Sequence, residues 1–523
     1  MTFNLLSEPL ITIDQSAHHQ KVSLPALLAL LMDDQVDEFP FLRAHQRHAF
    51  HAFLVQLAAI ALHHAGESDP PRDAEGWAGL LRALTPDWPE DEPWSLVATP
   101  DKPAFMQAPV PDGDISAFKP IETPDALDLL VTSKNHDLKA ARMRAAAPED
   151  WFFALLSLQT MEGFLGAGNY GISRMNGGFA NRSALGIVPP GGVGARVRRD
   201  LRILLQKRGC ILKDIEQYPA DNGLALIWLL PWDGQSQLTL DQLDPFYIEI
   251  CRRVRLIEKS DRLSALGATS KKARINAGET KGHVGDPWMP IHPGDEAKSF
   301  SVFSDGFNYR RMSELLFGKT YQKSMLQKVD PNDADEGLSV LACGLVRGQG
   351  KTEGYHERRV PISEPVKRIM ASGHSDRLAA LAKRRVDDAG TMRDMVLRPA
   401  LFSLLQDGPD SIDYGSKSTS KQAGSWLQAF DQAVDEMFFP QLWEAIDAFD
   451  SGQPDHEIAL LWQCKMRKIA IDLLQQAQHS VPLASIRRYR AQTRSRDLFF
   501  AMLKKNFENL YAQYWENKEA EHA

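Results

Sequence analysis

Beyond Pro361 the sequence changes character. Glycines thin out, and apolar residues recur at helical spacing through segments at 364–386, 391–405, 422–449, 456–478 and 484–511. The connections between them are short and carry helix-stopping residues, as in Gln406-Asp407-Gly408-Pro409 and Asp450-Ser451-Gly452-Gln453-Pro454. Amphipathic helices joined so closely must fold back on one another to bury their apolar faces, which predicts an antiparallel helical bundle over 361–523. No repeat of fixed period is visible, so a solenoid is excluded.

Residues 1–360 read differently. The opening Asn4-Leu5-Leu6-Ser7-Glu8-Pro9-Leu10-Ile11-Thr12-Ile13 is apolar and β-branched at its end, which predicts strands beside a turn. Residues 41–64 place Phe50, Phe53, Leu54, Leu57, Ile60 and Ala61 on one helical face, stopped by Gly66. From 67 to 124 the chain is rich in Pro, Asp and Trp, predicting long ordered loops in which Trp77, Trp88 and Trp94 find something to pack against. A helix at 148–163, a glycine-rich segment at 166–194 and strands near 224–230, 299–303 and 338–346 complete a mixed pattern. The expected fold class is therefore α+β: a mixed α/β N-terminal body with long loops over 1–360, then the bundle.

Charge narrows the function. Lys and Arg total 60 against 68 Asp and Glu, a net charge of −8, so no global basicity advertises nucleic acid and any phosphate site must be local. The acid is concentrated at the front, where residues 1–120 hold 17 acidic and 7 basic side chains. Cys210, Cys251, Cys343 and Cys464 lie far from any C-x-x-C spacing, which points to a reducing cytoplasm rather than a disulfide framework. No stretch approaches roughly 18 uninterrupted apolar residues and no leader-like pattern opens the chain. A soluble cytoplasmic protein without membrane contact is expected.

Two basic runs stand out from this near-neutral background. Arg196, Arg198, Arg199, Arg202, Lys207, Arg208 and Lys213 face only Asp200 and Asp214; Arg252, Arg253, Arg255, Lys259, Arg262, Lys271, Lys272, Arg274 and Lys281 face Glu258, Asp261 and Glu279. Such density suits a phosphate backbone, the plain alternative being a solvated helix face. Gly166-Ala167-Gly168-Asn169-Tyr170-Gly171 matches the letters of the dinucleotide fingerprint, which keeps a dinucleotide-dependent oxidoreductase as a rival from another class. Its context argues against that: a helix-like segment precedes it where a strand is required. What the segment offers is bare backbone, with Gly166, Gly168, Gly171, Gly177 and Gly178 beside Asn169, Arg174 and Asn176 as donors. The bland alternative is an ordinary surface loop, and with it a helical scaffold protein that touches no nucleic acid.

His45, His48 and His51, with His63 and His64 nearby, have a spacing that can put imidazoles on one face, but no carboxylate or cysteine completes a ligand set. No G-x-S-x-G, H-E-x-x-H, Walker loop or paired-carboxylate motif occurs in a recognisable context. Neither a catalytic residue, a metal nor a cofactor is expected, and the protein is read as a non-enzyme.

Taken in order, several segments resemble the CasA family, the large subunit of the type I-E CRISPR surveillance complex Cascade. They are Asn4-Leu5-Leu6, Pro103-Ala104-Phe105-Met106-Gln107, the glycine-rich run at 166–178, Trp288-Met289-Pro290-Ile291-His292-Pro293, and Gly344-Leu345-Val346-Arg347-Gly348-Gln349 running on to Glu357-Arg358-Arg359. The order holds over about 360 residues, and the helical C-terminal third fits the family's four-helix bundle. The resemblance implies a subunit that reads the protospacer-adjacent motif on double-stranded DNA from the minor groove, helps open the duplex for guide RNA pairing into an R-loop, and recruits a helicase-nuclease. Its partners would be the other Cascade subunits, guide RNA and target DNA; a related class 1 CRISPR variant with different recruitment is the runner-up.

Residue by residue, the resemblance places the family's glycine loop on Gly166, Gly168, Asn169, Tyr170 and Gly171, its lysine finger on Lys281 and its glutamine wedge on Gln349, with Thr352 as an alternative wedge. Glycine backbone can enter a minor groove about 6 Å wide. Arg347 and Lys351 flank the wedge as expected phosphate contacts, joined by Arg196, Arg198, Arg199 and Arg202. The cysteine cluster that some members carry before the lysine finger is absent here, so no zinc is implied.

Overall fold

The structure, a computed structural model, describes residues 3–522 apart from 129–145, 176, 178–179, 260–261, 295–296, 349–350, 373–375 and 483–484. The chain forms two compact units, Met1–Phe307 with Thr320–Ile362, and Asn308–Lys319 with Ser363–Ala523. The change of unit at Ile362/Ser363 lies where the sequence texture changes. A second exchange, Asn308–Lys319, precedes it and moves one short helix out of the body.

In the first unit, β1 (Ile11–Gln15) and β2 (His18–Val22) pair antiparallel, turning through Ser16 and Ala17, both at positive φ. α1 (Leu24–Met32) starts on Ser23, whose hydroxyl accepts from the Ala26 N–H, with Pro25 in its first turn. α2 (Arg47–Ala65) is buried on nearly every side, as a helix apolar around most of its circumference must be, and ends at Gly66 in the left-handed conformation. Around it pack α3 (Ala74–Ala83), α4 (Pro148–Met161) and α5 (Val193–Asp214). Aromatic rings fill the space between: Phe50 meets Phe152 and Phe153 edge-on at 5.8 and 5.1 Å, and Phe105 meets Trp228 at 5.8 Å. Trp94 is fully buried beneath the Pro- and Trp-rich loops; Trp77 is buried too, but from α3, a helix that Asp73 caps by accepting from the Gly76 N–H where the composition predicts a loop.

The strands make small sheets. β3 (Lys119–Ile121) and β4 (Ala184–Val188) are each the edge of a three-stranded sheet. β5 (Leu224–Leu226) pairs parallel with β6 (Leu243–Ile248), and the strand expected at 224–230 stops there because residues 227–229 turn into a 3-10 helix. β7 (Arg253–Lys259) and β8 (Arg262–Ala268) form an antiparallel hairpin with β3 beside β8, so much of the second basic run is strand rather than helix. β9 (Ile291–His292) pairs with β10 (Lys298–Ser299), which is all that forms of the strand expected near 299–303. β11 (Ser339–Gly348) and β12 (Lys351–Pro361) form a long hairpin in the order β12-β11-β4.

The second unit is helical: α6 (Tyr309–Phe317), α7 (Glu364–Ser372), α8 (Asp376–Thr391), α9 (Arg398–Leu405), α10 (Lys417–Asp450), α11 (Asp455–Ser480), α12 (Ser485–Asn506) and α13 (Glu508–His522). α8 runs into α9 through a π-helical turn at Met392–Leu397, placed just before Pro399, which has no N–H to continue a regular ladder. α8–α9, α10, α11 and α12 are the four long rods, with Phe430, Val434, Phe438, Trp462, Met466 and Phe499 buried between them. Gln478 and Gln492 exchange side-chain-to-carbonyl hydrogen bonds of 3.2 and 3.0 Å across the α11–α12 turn, which requires those helices to run antiparallel. Asp431 binds Arg310 at 2.7 Å and so ties α6 to α10. No helix among the described residues is long and apolar enough to cross a membrane.

Candidate nucleic-acid interface

The glycine loop leaves the end of α4 and opens no helix, so the strand-turn-helix setting of a dinucleotide site is missing. Leu165 N–H donates to the Asn169 carbonyl at 3.0 Å and Asn169 N–H to the Gly166 carbonyl at 3.0 Å, closing a tight turn. Its glycines serve three different ends. Gly166, at φ 116°, has no atom within 4 Å of where a Cβ would stand. Gly168, at φ 88°, lies against Thr269, and its carbonyl accepts from Ser270 N–H at 3.0 Å. A Cβ on Gly171 would stand 2.6 Å from the Phe164 amide nitrogen, so this glycine is required by the closeness of its own chain. Of these three, Gly166 alone keeps open space around it.

The loop's neck is held by Arg252, a buried side chain that donates to the carbonyls of Tyr170 and, at 3.2 Å, Gly163. Beside it Glu162 is buried and paired with Arg347 at 3.0 Å. Burial pushes the Glu162 carboxyl up, against the opposing pull of Arg347 and then Arg252. With its side chain 5% exposed, Arg347 is a strut between the base of the β11–β12 hairpin and α4, which corrects its expected role as a phosphate contact. Leu165 and Asn169 of the loop line one cavity of about 410 Å³ with Arg252, Arg253, Thr269 and Arg347. The fold thus brings the glycine loop and the hairpin base to a single place, although about 180 residues of sequence separate them.

β11 pairs with β4 only from Ser339 to Cys343, so Gly344–Gly348 has β12 alone beside it. Val346 pairs with Gly354 and Arg347 with Thr352, which leaves Glu353 as the extra residue of a bulge. The ladder closes at Gly348 and Lys351. Gln349 lies outside the described residues, as does the side chain of Lys351; Thr352 sits half-buried inside the ladder.

Lys281 follows a 3-10 turn at φ 49°, an uncommon conformation for a residue with a β-carbon. Its carbonyl accepts from Ser299 N–H at 3.0 Å, and the following Gly282 passes so close that a Cβ there would stand 2.7 Å from the Arg174 carbonyl. The lysine's backbone is therefore fixed beside the later part of the glycine segment. Arg174, expected as a donor, is buried: it lies 4.3 Å from the Tyr247 ring centroid and 3.4 Å from Glu249.

The arginines of α5 are mostly spent inside the body. Arg199 is buried against Asp333 at 2.7 Å and Asp200 at 3.1 Å; burial lowers its pKa, and those carboxylates raise it past the ordinary value. Arg198 donates to the Leu31 carbonyl at 2.7 Å, at the end of α1. Arg202 reaches Asp330 at 3.4 Å and Asp333 at 3.5 Å, and Arg208 pairs with Asp244 at 2.7 Å. Arg196 is half-buried on the wall of a different cavity, of about 390 Å³. Arg199 cannot serve as a surface phosphate contact, which corrects that expectation, whereas Arg198 and Arg202 are half-buried and already engaged with the Leu31 carbonyl, Asp330 and Asp333. The second run behaves alike: Arg255 is buried among backbone carbonyls and Arg274 donates to the Leu230 carbonyl at 3.0 Å beside Trp232, burial lowering both to about 10.

Lys259, Arg262, Lys271 and Lys272 stay exposed. Lys271 and Lys272 directly follow Ser270, whose amide holds Gly168, so they stand beside the glycine loop. A charge count along the sequence does not single them out; the available signal is residue type, since a lysine ammonium is hydrated too strongly to be buried where an arginine can be. The histidines are dispersed: His45 pairs with Asp128 at 2.8 Å, His51 with Asp200 at 2.8 Å, and His48 lies edge-on to Trp288 at 5.5 Å. Among the described residues no group of three His, Cys, Asp or Glu side chains could hold a metal ion.

No family model matches the chain, and no curated protein does. Solved structures do. Over 97% of this chain and 100% of the other it is similar to CasA of Thermus thermophilus, with a TM-score of 0.67 at 14% identity. It is similar to Thermobifida fusca Cse1 over 96% of this chain and 98% of that one, at TM-score 0.64 and 14% identity. A chain of a CRISPR RNA-guided surveillance complex matches over 95% and 99%, at TM-score 0.58 and 12% identity. The fold is that of the CasA and Cse1 structures from end to end.

Proposed function

We propose that this chain is the large, non-catalytic subunit of a type I-E Cascade, acting in the cytoplasm with guide RNA and the other Cascade subunits. It reads the motif flanking a target on double-stranded DNA, helps open the duplex and recruits a helicase-nuclease. The observation that carries the reading is the meeting of the glycine loop and the hairpin base at one cavity, within a fold shared over its whole length with CasA.

In this reading Gly166 presents backbone to the minor groove from the open side of a turn whose other face is pinned by Arg252 and Ser270. Lys281 supplies an ammonium on a flexible stem for the groove's acceptors, whose pattern is degenerate, so relaxed motif reading is expected. Lys271 and Lys272 bind phosphates beside the loop. Gln349 is the wedge on the resemblance alone, and Thr352, which pairs with Arg347 within the ladder, is the alternative. The Glu162–Arg347 pair holds the hairpin base so that the tip can transmit the roughly few kcal/mol that unstacking a base step costs.

The test is reconstitution with guide RNA and the partner subunits, followed by binding to duplexes that differ only in the flanking motif. Gly166→Leu should leave assembly intact and abolish discrimination between motifs, and Lys281→Ala should weaken it by roughly 1–3 kcal/mol. A Gly166→Leu complex that still tells good motifs from bad would overturn the assignment of the loop.

A further inference from the structure

An exposed basic surface lies in the helical unit. From Ser485 to Arg496 the sequence holds Arg487, Arg488, Arg490, Arg494 and Arg496 and no acidic residue. Every residue from Ser485 to Arg490 is exposed. Ile486 and Tyr489, at 89% and 80% exposure, are the two most exposed large apolar side chains described. Ile486, Tyr489, Thr493 and Arg496 follow at i, i+3, i+7 and i+10, so they share one outward face of α12. Asp407 and Asp410, from the loop after α9, hold three of the arginines in place: Arg487 at 2.7 Å, Arg490 at 3.4 Å and Arg494 at 2.6 Å. Arg488 and Arg496 have no partner among the described residues. Three arginines share two carboxylates and two more stand unopposed, so the patch stays positive.

We propose that this face of α12 binds single-stranded nucleic acid. Arg496 on this face, Arg490, Arg494 and Arg487 along one flank and Arg488 on the other, with no lysine, favour phosphate oxygens, which guanidiniums can grip bidentately, and guanidinium planes also stack on bases. Tyr489 offers an exposed ring for a base, and Ile486 beside it an apolar contact for another base face. Unstacked bases can use both; a duplex, which presents only its phosphates to such a surface, can use neither. An acidic protein would match the charge but would leave the aromatic stacking platform without a specific role. The inference does not depend on motif reading in the body, because it concerns a different unit and a different chemistry.

The experiment titrates the full chain with a short fluorescent polythymidine oligonucleotide across a range of salt. Arg488→Ala/Arg496→Ala removes two cations that make no internal contact, and should reduce the salt slope by about 0.7 for each phosphate released. Tyr489→Ala should weaken binding about tenfold with the slope unchanged, the signature of a base that no longer stacks. Lys21→Ala/Arg72→Ala, which removes two exposed cations of the other unit, should leave oligonucleotide affinity within about twofold; the titration uses no duplex and no flanking motif, so failure here and failure of motif reading are separable. Unchanged affinity and slope in both α12 variants would overturn the proposal. So would competition by polyglutamate as strong as that by unlabelled oligonucleotide, which would assign the face to an acidic protein.

Discussion

Two helices of this chain carry arginines at similar density and put them to opposite use. α5 holds Arg196, Arg198, Arg199, Arg202 and Arg208, and buries or pairs all but Arg196 against Asp333, Asp330, Asp244 and the end of α1. α12 holds Arg487, Arg488, Arg490, Arg494 and Arg496, and leaves its first turns in solvent. The difference is set by where the acids lie. The carboxylates that meet α5 come from 36 and 134 residues downstream, as with Asp244 for Arg208 and Asp333 for Arg199. A local charge count sees only the helix and reads both as surface. Density of arginine therefore says little about exposure; the supply of buried acceptors decides it.

The largest effect follows from breaking the buried side of that comparison. Arg199→Ala takes the 2.7 Å partner from Asp333, leaving Arg202 at 3.5 Å, and leaves Asp200 with His51, and removing one partner of a buried pair costs roughly 3–5 kcal/mol. Arg488→Ala in α12 makes no such orphan and should stay within about 0.5 kcal/mol. Thermal unfolding of the full chain followed by circular dichroism checks both, with the first variant melting well below the second. Equal melting temperatures would show that α5's arginines are surface residues after all.

Glu162 and Arg347 sharpen the same contrast with a pH signature. Burial raises the Glu162 carboxyl above its unfolded value, so the folded state holds the proton more tightly. Its contribution to stability is thus greatest at low pH and falls as pH rises from the ordinary carboxylate value through the raised one. Arg347→Ala removes the main interaction opposing that shift, so the variant should be clearly less stable than the native chain at pH 7 and should recover part of the gap on acidification towards pH 5. A gap independent of pH would mean that Glu162 is not left charged and buried.

Gly171 and Gly166 repeat the comparison inside one loop. Gly171→Ala would force a Cβ against the Gly163–Phe164 backbone, and overpacking of that kind costs roughly 1–3 kcal/mol. Gly166→Ala meets open space and carries only the conformational cost of its positive φ, about 1–2 kcal/mol, confined to the tip of the turn. Hydrogen exchange at the Ile172 and Asn169 amides should therefore accelerate in the first variant at both positions and in the second at Asn169 alone.

How much of the molecule is legible in its sequence depends on the range of the interactions. The helical third is legible because periodicity is local, and so is the burial of Trp77 and Trp94, since a tryptophan must be covered whatever its backbone, although Trp77 sits on α3 rather than in the expected loop. The glycine loop and the β11–β12 hairpin are visible as segments, yet their meeting at one cavity is not, because the Glu162–Arg347 pair links residues 185 positions apart. α6 carries a local helical pattern, with Tyr309, Met312, Ser313 and Leu316 buried on one face, but its place in the helical unit is not legible because its partners Asp431 and Asp435 lie more than 100 residues on. The arginine runs mislead because the acids that bury them are equally distant, whereas the cations of α12 are adjacent in sequence and the distant Asp407 and Asp410 pair only three of them.

The smallest effect tests the proposed function and which cations would meet DNA under it. In the reconstituted complex each phosphate that a variant no longer touches should flatten the slope of log affinity against log salt by about 0.9. Lys271 and Lys272 are exposed beside Gly168, so their double alanine variant should lower the slope by nearly two such steps and weaken binding to good and bad flanking motifs alike. Arg198 and Arg202 are engaged with the Leu31 carbonyl, Asp330 and Asp333, so their double alanine variant should leave the slope unchanged even where it lowers the melting temperature. Replacement by lysine separates charge from geometry: Arg198→Lys keeps the charge but loses the guanidinium fork, so it should fail to restore stability while leaving the slope as it was. If instead the α5 variant flattens the slope and the lysine pair does not, the two basic runs have exchanged roles, and DNA approaches the body from the α5 side rather than over the glycine loop.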